Sequence, residues 1–147
     1  AEIIWDCDGD FAKGTYRRSH TWRFDGGTEV PASASPSVVP LPHSVAEAVD
    51  PEEAFIASLS SCHMLWFLDF AMHAGLNVAR YRDPATGALK NDQGRVWIPR
   101  VDLNITVTFS GQAPDPKHHK ALHDKAHHAC FIANSVKTEV VTNLKDD

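Results

Sequence analysis

The sequence predicts an α+β protein in which antiparallel sheets enclose one long central helix. Three features lead to this prediction. A long apolar segment with a helical start follows Asp50. The segment from Val101 to Phe109 alternates apolar and polar residues, a pattern typical of a strand with one face in water. The order along the chain is strands, helix, strands, helix, strand, without an internal repeat, and this order favours an α+β fold with antiparallel sheet.

The composition is that of an ordinary globular domain. A chain of 147 residues is expected to form a single domain, residues 1–147, that buries roughly 70% of its unfolded surface. The net charge is −5, and lysine and arginine are scattered, so nucleic acid is not an expected partner, whereas small neutral or apolar ligands are. Four acidic residues among the first ten exclude a secretory leader there, and cytoplasmic residence is expected.

The first third of the chain is predicted to form antiparallel hairpins. Ile3–Trp5 and Tyr16–Phe24 have strand composition and are separated by glycine-containing turn signals. Arg17 and Arg18 are neighbours in the second of these strands, so their side chains should point to opposite faces. The segment Val30–Pro42 contains four prolines and is expected to be an ordered loop.

The sequence predicts that the long helix begins at Asp50 and ends at Gly75. Asp50 is a favourable N-cap residue, Pro51 suits the first helical position, and Glu53 completes a capping box. Gly75 is a natural residue for the position after a helix. The helix therefore has recognisable signals at both ends.

The same helix is apolar on nearly all sides. Asp69 carries the one formal charge between Ala54 and Met72, so we expect the helix to lie in the centre of the protein. Its length approaches that of a membrane span, but its serine residues, His63 and Asp69 favour a buried helix of a soluble protein. No membrane association is therefore expected.

The second half of the chain is predicted to hold two further short strands, at Asn77–Tyr81 and Arg95–Ile98, with a loop at Asp83–Gly94 between them. A second helix should begin at the Pro114-Asp115-Pro116 sequence and run to about Ala133. The final strand is expected at Val136–Val141. We expect these strands to pair in antiparallel fashion.

Three widely spaced cysteines raise the question of a reactive thiol. Cys7, Cys62 and Cys130 form neither a disulfide framework nor a zinc pattern. Cys62 lies in the middle of the long helix, Cys130 near the end of the second helix, and Cys7 in a strand among acidic residues, where we expect a structural role. Each of these thiols also suits plain core packing.

A reactive cysteine needs a positively charged neighbour, because only the thiolate attacks. Arg17 or Arg18 could provide this charge, and a carboxylate such as Glu52 or Glu53 could hold the arginine in position. The alternatives are a solvated arginine on a strand and carboxylates that are favoured by the helix dipole in any first turn.

A histidine stripe on the second helix is the competing signal. His119, His123 and His127 are four residues apart and share one face, where they could ligate zinc or nickel. Lysine and aspartate residues on the same helix favour a solvated polar face instead. His63 follows Cys62 directly, but adjacent helical residues diverge by about 100°, which limits their contact.

Taken together, these residues resemble the OsmC/Ohr family of osmotically inducible and organic hydroperoxide resistance proteins. The resemblance covers nearly the whole chain. Its most specific element is the sequence Asp50-Pro51-Glu52-Glu53 followed by Cys62, which lies ten residues after Glu52; an early arginine and a late cysteine agree with it. The family implies an α+β fold in which two subunits form an intertwined homodimer with active sites at their interface.

The resemblance also implies a role for each candidate residue. It identifies Cys62 as the thiolate that attacks an organic hydroperoxide, Cys130 as the resolving thiol, and Arg18, with Arg17 as the alternative, and Glu52 as the supporting ion pair. An external dithiol would reduce the resulting disulfide, and neither a cofactor nor a metal is required. Phe131 follows Cys130 where family members often have proline.

Two other functions remain open from the sequence. The same fold could bind a small molecule or a metal through the histidine stripe, without catalysis. It could also be a structural stress protein whose thiols are inert. The peroxidase hypothesis is preferred because it gives a role to Arg18, Glu52, Cys62 and Cys130 together.

Overall fold

The computed structural model describes residues 1–145 and has the predicted order of strands, helix, strands, helix, strand. The chain divides into two compact units, the first formed by Ala1–Phe55 and the second beginning at Ile56. The assignment of the whole chain to a single domain stays a prediction.

The first unit contains five short strands: β1 (Glu2–Ile4), β2 (Gly9–Asp10), β3 (Thr15–Tyr16), β4 (His20–Arg23) and β5 (Glu29–Ala32). They form an antiparallel sheet in the order β1-β4-β5 and a separate β2-β3 hairpin. The hairpin character expected of this region is therefore confirmed.

Two details of this unit differ from the sequence prediction. The strand expected over Tyr16–Phe24 is interrupted, because the amides of Arg17 and Arg18 donate to the carbonyls of Asp8 and His43 instead of to a sheet ladder. The loop predicted to begin at Val30 starts later, because Pro31 is part of β5. Strand β5 lies at the edge of the sheet, where the missing N–H of a proline is tolerated.

The long helix α1 (Pro51–His73) has the predicted signals at both ends. At its start, Asp50 Oδ1 accepts from the Glu53 amide at 2.8 Å, and Glu53 Oε2 accepts from the Asp50 amide at 3.3 Å, which is a reciprocal capping box. At its end, Gly75 has a φ of 74°, and the amides of Gly75 and Leu76 donate to the carbonyls of Met72 and Ala71. This pattern is a Schellman motif.

The remainder of the chain forms the second unit. Its strands are β6 (Val78–Arg82), β7 (Thr86–Gly87), β8 (Lys90–Asp92), β9 (Arg95–Trp97), β10 (Arg100–Phe109) and β11 (Glu139–Leu144). Helix α2 (Pro116–Ala129) and a short 3-10 helix (Ala133–Ser135) lie between the last two strands. Strands β8 and β9 form a hairpin, and the other strands join around β10.

Strand β10 is the central strand of this sheet. Strands β6 and β7 pair with it in antiparallel fashion, whereas β11 pairs with it in parallel, with Arg100 opposite Glu139. The expectation that every pair is antiparallel is wrong for β11. Its cause is α2, because a helical crossover between two strands returns the chain in the same direction. The alternation predicted for this strand is confirmed, since Val101, Leu103, Ile105 and Val107 are all buried.

Helix α1 approaches the sheet closely at three points. A Cβ atom on Gly87 would lie 3.0 Å from Ile56 Cδ1, so the absence of a side chain permits this approach. Further along the helix, Ser60 Oγ donates to Asp83 Oδ2 at 2.5 Å, and the rings of Phe67 and Tyr81 are 5.8 Å apart. These contacts align the part of α1 beyond Ile56 with the sheet.

The chain itself covers only one side of α1. Its buried residues are Leu59, His63, Phe67 and Ala71, a stripe at intervals of four. Leu65 is 63% exposed and Met72 is 59% exposed. In the single chain, α1 therefore has one buried side and one exposed side. By length and composition alone, the helix also passes for a membrane span, as the core helix of a soluble protein can.

Boundaries in the second unit shift from those predicted. The segment expected to be a loop at Asp83–Gly94 contains β7 and β8, and α2 ends four residues before the predicted Ala133. The last strand begins at Glu139 instead of Val136, because the 3-10 helix ends at Ser135 and residues 136–138 form an irregular connection before the strand.

The capping box should contribute measurably to the stability of α1. Replacement Asp50→Ala leaves the Glu53 amide without its acceptor, and we expect it to lower the free energy of unfolding by about 1 kcal/mol. Urea unfolding followed by circular dichroism at 222 nm measures this change. The matched control is Asp6→Ala, which removes an exposed aspartate near the start of the chain and should change stability by less than about 0.5 kcal/mol. Equal effects in the two variants would contradict the prediction.

Candidate active site

The structure brings two of the candidate residues, Cys62 and Cys130, into contact. Cys62 is half-buried in the middle of α1, and Cys130 is buried immediately after α2. The Cys62 side chain is close enough to the Cys130 thiol to raise its pKa, and neither cysteine is in a disulfide. Two cysteines that are far apart in sequence therefore form a local thiol pair.

The environment of Cys130 keeps its thiol protonated. Burial is the main reason that its pKa is raised, and the neighbouring Cys62 raises this pKa further. The amide of Ala133, which donates to Cys130 Sγ at 3.4 Å, and the amide of Ile132 oppose this effect only partly. Cys130 is therefore a neutral thiol at neutral pH, able to donate its proton toward Cys62.

The position of Cys130 depends on the end of α2. Its backbone is extended, with φ −65° and ψ 112°, so the expectation that Cys130 lies on the helix is wrong by one residue. The chain turns here because the Cys130 amide still donates to His127 while its own carbonyl accepts from Asn134. This turn directs the Cys130 side chain toward α1.

The two candidate arginines have different surroundings in the first unit. Arg17 is exposed and forms an ion pair with Asp8 at 3.2 Å. Arg18 is half-buried, lies 3.7 Å from the centroid of the Tyr16 ring, and donates to the carbonyls of Tyr16 and, at 3.3 Å, Gly14. Arg18 is thus the arginine that is held in a fixed position by packing.

Arg18 lines a pocket of about 390 Å³ within the first unit. The walls are mostly apolar and aromatic; the lining residues are Ile3, Trp5, Phe11, Tyr16, Arg18, His20, Ser33, Ala34 and Pro51. Such a pocket suits a ligand with an apolar body and one polar group near the guanidinium.

His20 is a pocket residue that the sequence analysis missed. Its Nε2 accepts from Trp22 Nε1 at 2.8 Å, so its Nδ1 is the protonated nitrogen that donates to the Arg18 carbonyl at 2.8 Å. Arg18, His20 and Trp22 are two residues apart in sequence, and this spacing was the available signal. His20 fixes the backbone that carries the arginine.

Glu52 does not pair with an arginine in this structure. Its Oε2 atom is buried without a hydrogen-bond partner among residues 1–145, and no ion pair within the same residues joins it to Arg18. Glu53 is used in the capping box. The predicted support of an arginine by one of these carboxylates is therefore not formed, and Glu52 is left as a buried acceptor.

The exposed position of Cys7 gives no support to the structural role that the sequence suggested. Cys7 is exposed, lies in the loop between β1 and β2, and makes one weak contact, from its Sγ to the Gly9 carbonyl at 3.7 Å. Cys7 belongs to the first unit, whereas Cys62 and Cys130 belong to the second.

The histidine stripe is only partly the solvated face that the sequence favoured. His123 is buried, and its ring stacks on Phe67 with centroids 4.0 Å apart. Its Nδ1 lies 3.0 Å from His63 Nε2, and its Nε2 lies 3.2 Å from His119 Nε2. His63 thus meets α2 rather than Cys62, and three histidines form a chain of hydrogen bonds between the two helices.

Burial keeps this histidine network neutral. It lowers the pKa of His63 from 6.5 to about 4, with a further contribution from His127, and that of His123 to about 3, with contributions from His63 and His119. The pKa of His119 is also lowered by burial. Within residues 1–145, no three histidine, cysteine or acidic side chains are arranged to hold a metal ion.

Comparison with known proteins places this geometry in a family. The family model described as OsmC-like protein matches residues 44–145. An OsmC-like protein of unknown function from Vibrio cholerae is 48% identical, with a TM-score of 0.94 over 98% of this chain and 96% of that one. None of the curated proteins matches.

More distant structures share the fold. An organic hydroperoxide resistance protein from Elizabethkingia anophelis has a TM-score of 0.71 at 17% identity, over 100% of this chain and 97% of that one. The protein OhrB of Bacillus subtilis, also an organic hydroperoxide resistance protein, has a TM-score of 0.63 at 16% identity, over 99% and 96% of the two chains. The predicted OsmC/Ohr resemblance and α+β fold are confirmed.

The neutral histidine network predicts that stability falls as the solution becomes acidic. Between about pH 6.5 and pH 4 the unfolded chain binds protons on His63 and His123 that the folded chain does not, so the free energy of unfolding rises with pH in this window. We expect the double variant His63→Leu/His123→Leu to take up about two fewer protons on unfolding at pH 5 than the parent.

The measurement is the slope of the unfolding free energy against pH from urea titrations between pH 4 and pH 7. The control is His118→Leu, which removes an exposed histidine of α2, and the change in slope of the double variant is compared with that of this control. A double variant with the parent slope would show that the two buried imidazoles do not titrate on unfolding.

Proposed function

The chain belongs to the OsmC-like protein family, and from this we propose that it is a thiol-dependent peroxidase that reduces organic hydroperoxides to alcohols. The observation that carries the proposal is the contact between the half-buried Cys62 thiol and the buried Cys130 thiol. Two structurally similar proteins are themselves named organic hydroperoxide resistance proteins, which supports the same reaction class.

The proposed reaction has two steps at the thiol pair. The Cys62 thiolate attacks the terminal peroxide oxygen, the O–O bond breaks, and the alkoxide leaves as alcohol after it takes up a proton, so that Cys62 becomes a sulfenic acid. Cys130 then attacks the sulfenic sulfur, water leaves, and a Cys62–Cys130 disulfide forms. The atoms of reactants and products balance, since one hydroperoxide and two thiols give one alcohol, one water and one disulfide.

The different surroundings of the two thiols support this division of roles. Cys62 is more accessible, as an attacking group must be, whereas Cys130 is buried and its raised pKa keeps it protonated until Cys62 is oxidised. A neutral Cys130 does not compete for peroxide, because only a thiolate attacks. An external dithiol is proposed to reduce the disulfide.

Arg18 is proposed to stabilise the reacting oxygen atoms, with Glu52 as its supporting carboxylate during the reaction. Packing of the guanidinium on Tyr16 and its hydrogen bonds to two carbonyls favour a fixed donor, which stabilises developing negative charge more than a mobile one.

We further propose a cytoplasmic homodimer. The uncovered side of α1, with Leu65 and Met72, is an apolar surface of the kind that a second subunit buries. The notion that the histidines of α2 bind a metal instead gains no support, since His119 and His123 are engaged with each other and with His63.

Replacement Cys62→Ser should reduce dithiol-supported consumption of cumene hydroperoxide to the uncatalysed background, because serine supplies no thiolate. Replacement Cys130→Ser should leave the first step intact and allow a single turnover that ends in a stable sulfenic acid. Coupled turnover, with hydrogen peroxide as a parallel substrate, and intact mass before reduction are the measurements. Loss of two hydrogens is expected in the parent and in neither variant.

The exposed Cys7 supplies the matched control for these variants. Cys7→Ser removes a thiol outside the pair, so it should retain the activity of the parent and still form the disulfide. Full turnover in Cys62→Ser would refute the proposed function. An unoxidised Cys62 in the parent after exposure to the organic peroxide would refute it as well.

The adjacent arginines provide a second test with an internal control. Arg18→Ala should lower kcat/KM for cumene hydroperoxide by roughly 100-fold, the usual effect of removing one fixed donor to a developing negative charge. Arg17→Ala removes the same charge from the neighbouring exposed residue and should change kcat/KM by less than about threefold. A larger loss of kcat/KM in Arg17→Ala than in Arg18→Ala would mean that Arg17 is the arginine that faces the reacting oxygen.

A further inference from the structure

Beside the thiol pair, the second unit presents an aromatic surface that the proposed reaction does not yet use. We propose that Trp66 and Phe131 form an aryl-binding wall that gives this site a preference for aryl-bearing hydroperoxides over compact or aliphatic ones. This inference rests on the proposed peroxidase function and names its substrate class. The aryl-binding wall consists of these two rings and of Phe70, which stacks on Trp66.

The wall is tied to both cysteines by the chain itself. Cys62, Trp66 and Phe70 follow one another at intervals of four along one edge of α1, so their side chains are stacked one turn above the next. Phe131 is bonded directly to Cys130. Because the Cys62 and Cys130 side chains interact and the rings of Trp66 and Phe131 are in contact, these rings flank the thiol pair.

The rings also contact one another. Trp66 and Phe131 are arranged edge to face, with centroids 5.4 Å apart and planes at 85°, and Trp66 stacks on Phe70 at 5.5 Å with planes at 28°. Lys125 of α2 caps the far end, with its Nζ 4.0 Å from the Phe70 centroid. The series therefore runs from the thiol pair to a cation in one continuous surface.

The exposure of Phe131 distinguishes the wall from ordinary core packing. Phe67 lies on the same helix and is completely buried, whereas Phe131 is 68% exposed although it is next to the buried Cys130. A large ring in this position has one edge on Trp66 and its remaining surface open to an incoming molecule. A phenyl group seated there gains the offset or edge-to-face geometry that aromatic pairs prefer.

Chemical selectivity of Cys62 tests the wall without relying on peroxidase turnover. In a Cys7→Ser background, the rates at which N-phenylmaleimide and N-cyclohexylmaleimide alkylate Cys62 are measured by peptide mass, each divided by its rate with free glutathione. The two probes have similar size and differ in aromaticity. We expect Phe131→Leu and Trp66→Leu each to lower the normalised phenyl-to-cyclohexyl ratio by roughly 2- to 12-fold, the range of one aromatic contact.

The control for this comparison is Phe24→Leu, which removes a partly exposed aromatic ring of the first unit and should leave the ratio unchanged. Circular dichroism establishes that each variant is folded. We expect Phe131→Leu to fold because Phe131 is largely exposed. An unchanged ratio in both Phe131→Leu and Trp66→Leu would overturn the proposal, including the case in which a second subunit covers the rings.

Turnover then connects the wall to the substrate. Cumene hydroperoxide and tert-butyl hydroperoxide are both tertiary and differ by a phenyl group in place of a methyl group, so the ratio of their kcat/KM values should fall in Phe131→Leu by the same 2- to 12-fold. A lowered maleimide ratio without turnover in any variant would retain the wall and refute the peroxidase. Normal turnover with both ratios unchanged would refute the wall and retain the peroxidase.

Discussion

The contact between α1 and α2 is the constraint on which the rest of the second unit depends. Its centre is the His123 ring, held flat against Phe67 at 4.0 Å and hydrogen-bonded to His63 at 3.0 Å. Because His63 directly follows Cys62 in α1, the contact that holds His63 in place also holds Cys62 in place. The meeting of Cys62 with Cys130 is therefore a result of helix packing and not of any attraction between the sulfur atoms.

A common physical rule governs the polar groups at this contact. Burial favours the uncharged form, and it does so for the imidazoles of His63 and His123 and for the thiol of Cys130 alike. Most of these buried polar groups have hydrogen bonds that offset the loss of water, but His63 Nδ1 has no hydrogen-bond partner within residues 1–145. The interior between the helices is thus a neutral layer, in which a thiol can remain protonated and a helix pair can remain closed above mildly acidic pH.

The sequence allowed prediction of those features that depend on neighbouring residues. The capping box of Asp50 and Glu53, the end of α1 at Gly75 and the alternation of β10 all depend on local spacing, and the structure has each of them. The parallel pairing of β11 and the turn at Cys130 depend on where the chain goes after α2, which no local pattern records. The lysines on α2 predict a solvated face for the histidine stripe. The structure differs because His123 packs against Phe67, and this contact decides which face of α2 is buried.

The open side of α1 has a consequence for how the chain reaches its native state. A folded chain that leaves Leu65 and Met72 in water retains part of the apolar surface that folding normally removes. If a second copy covers that surface, burial of the last apolar area becomes a bimolecular event, and the law of mass action enters the folding equilibrium. Conformational stability would then be a property of the pair and its concentration, and dilution alone would act on this protein as a mild denaturant.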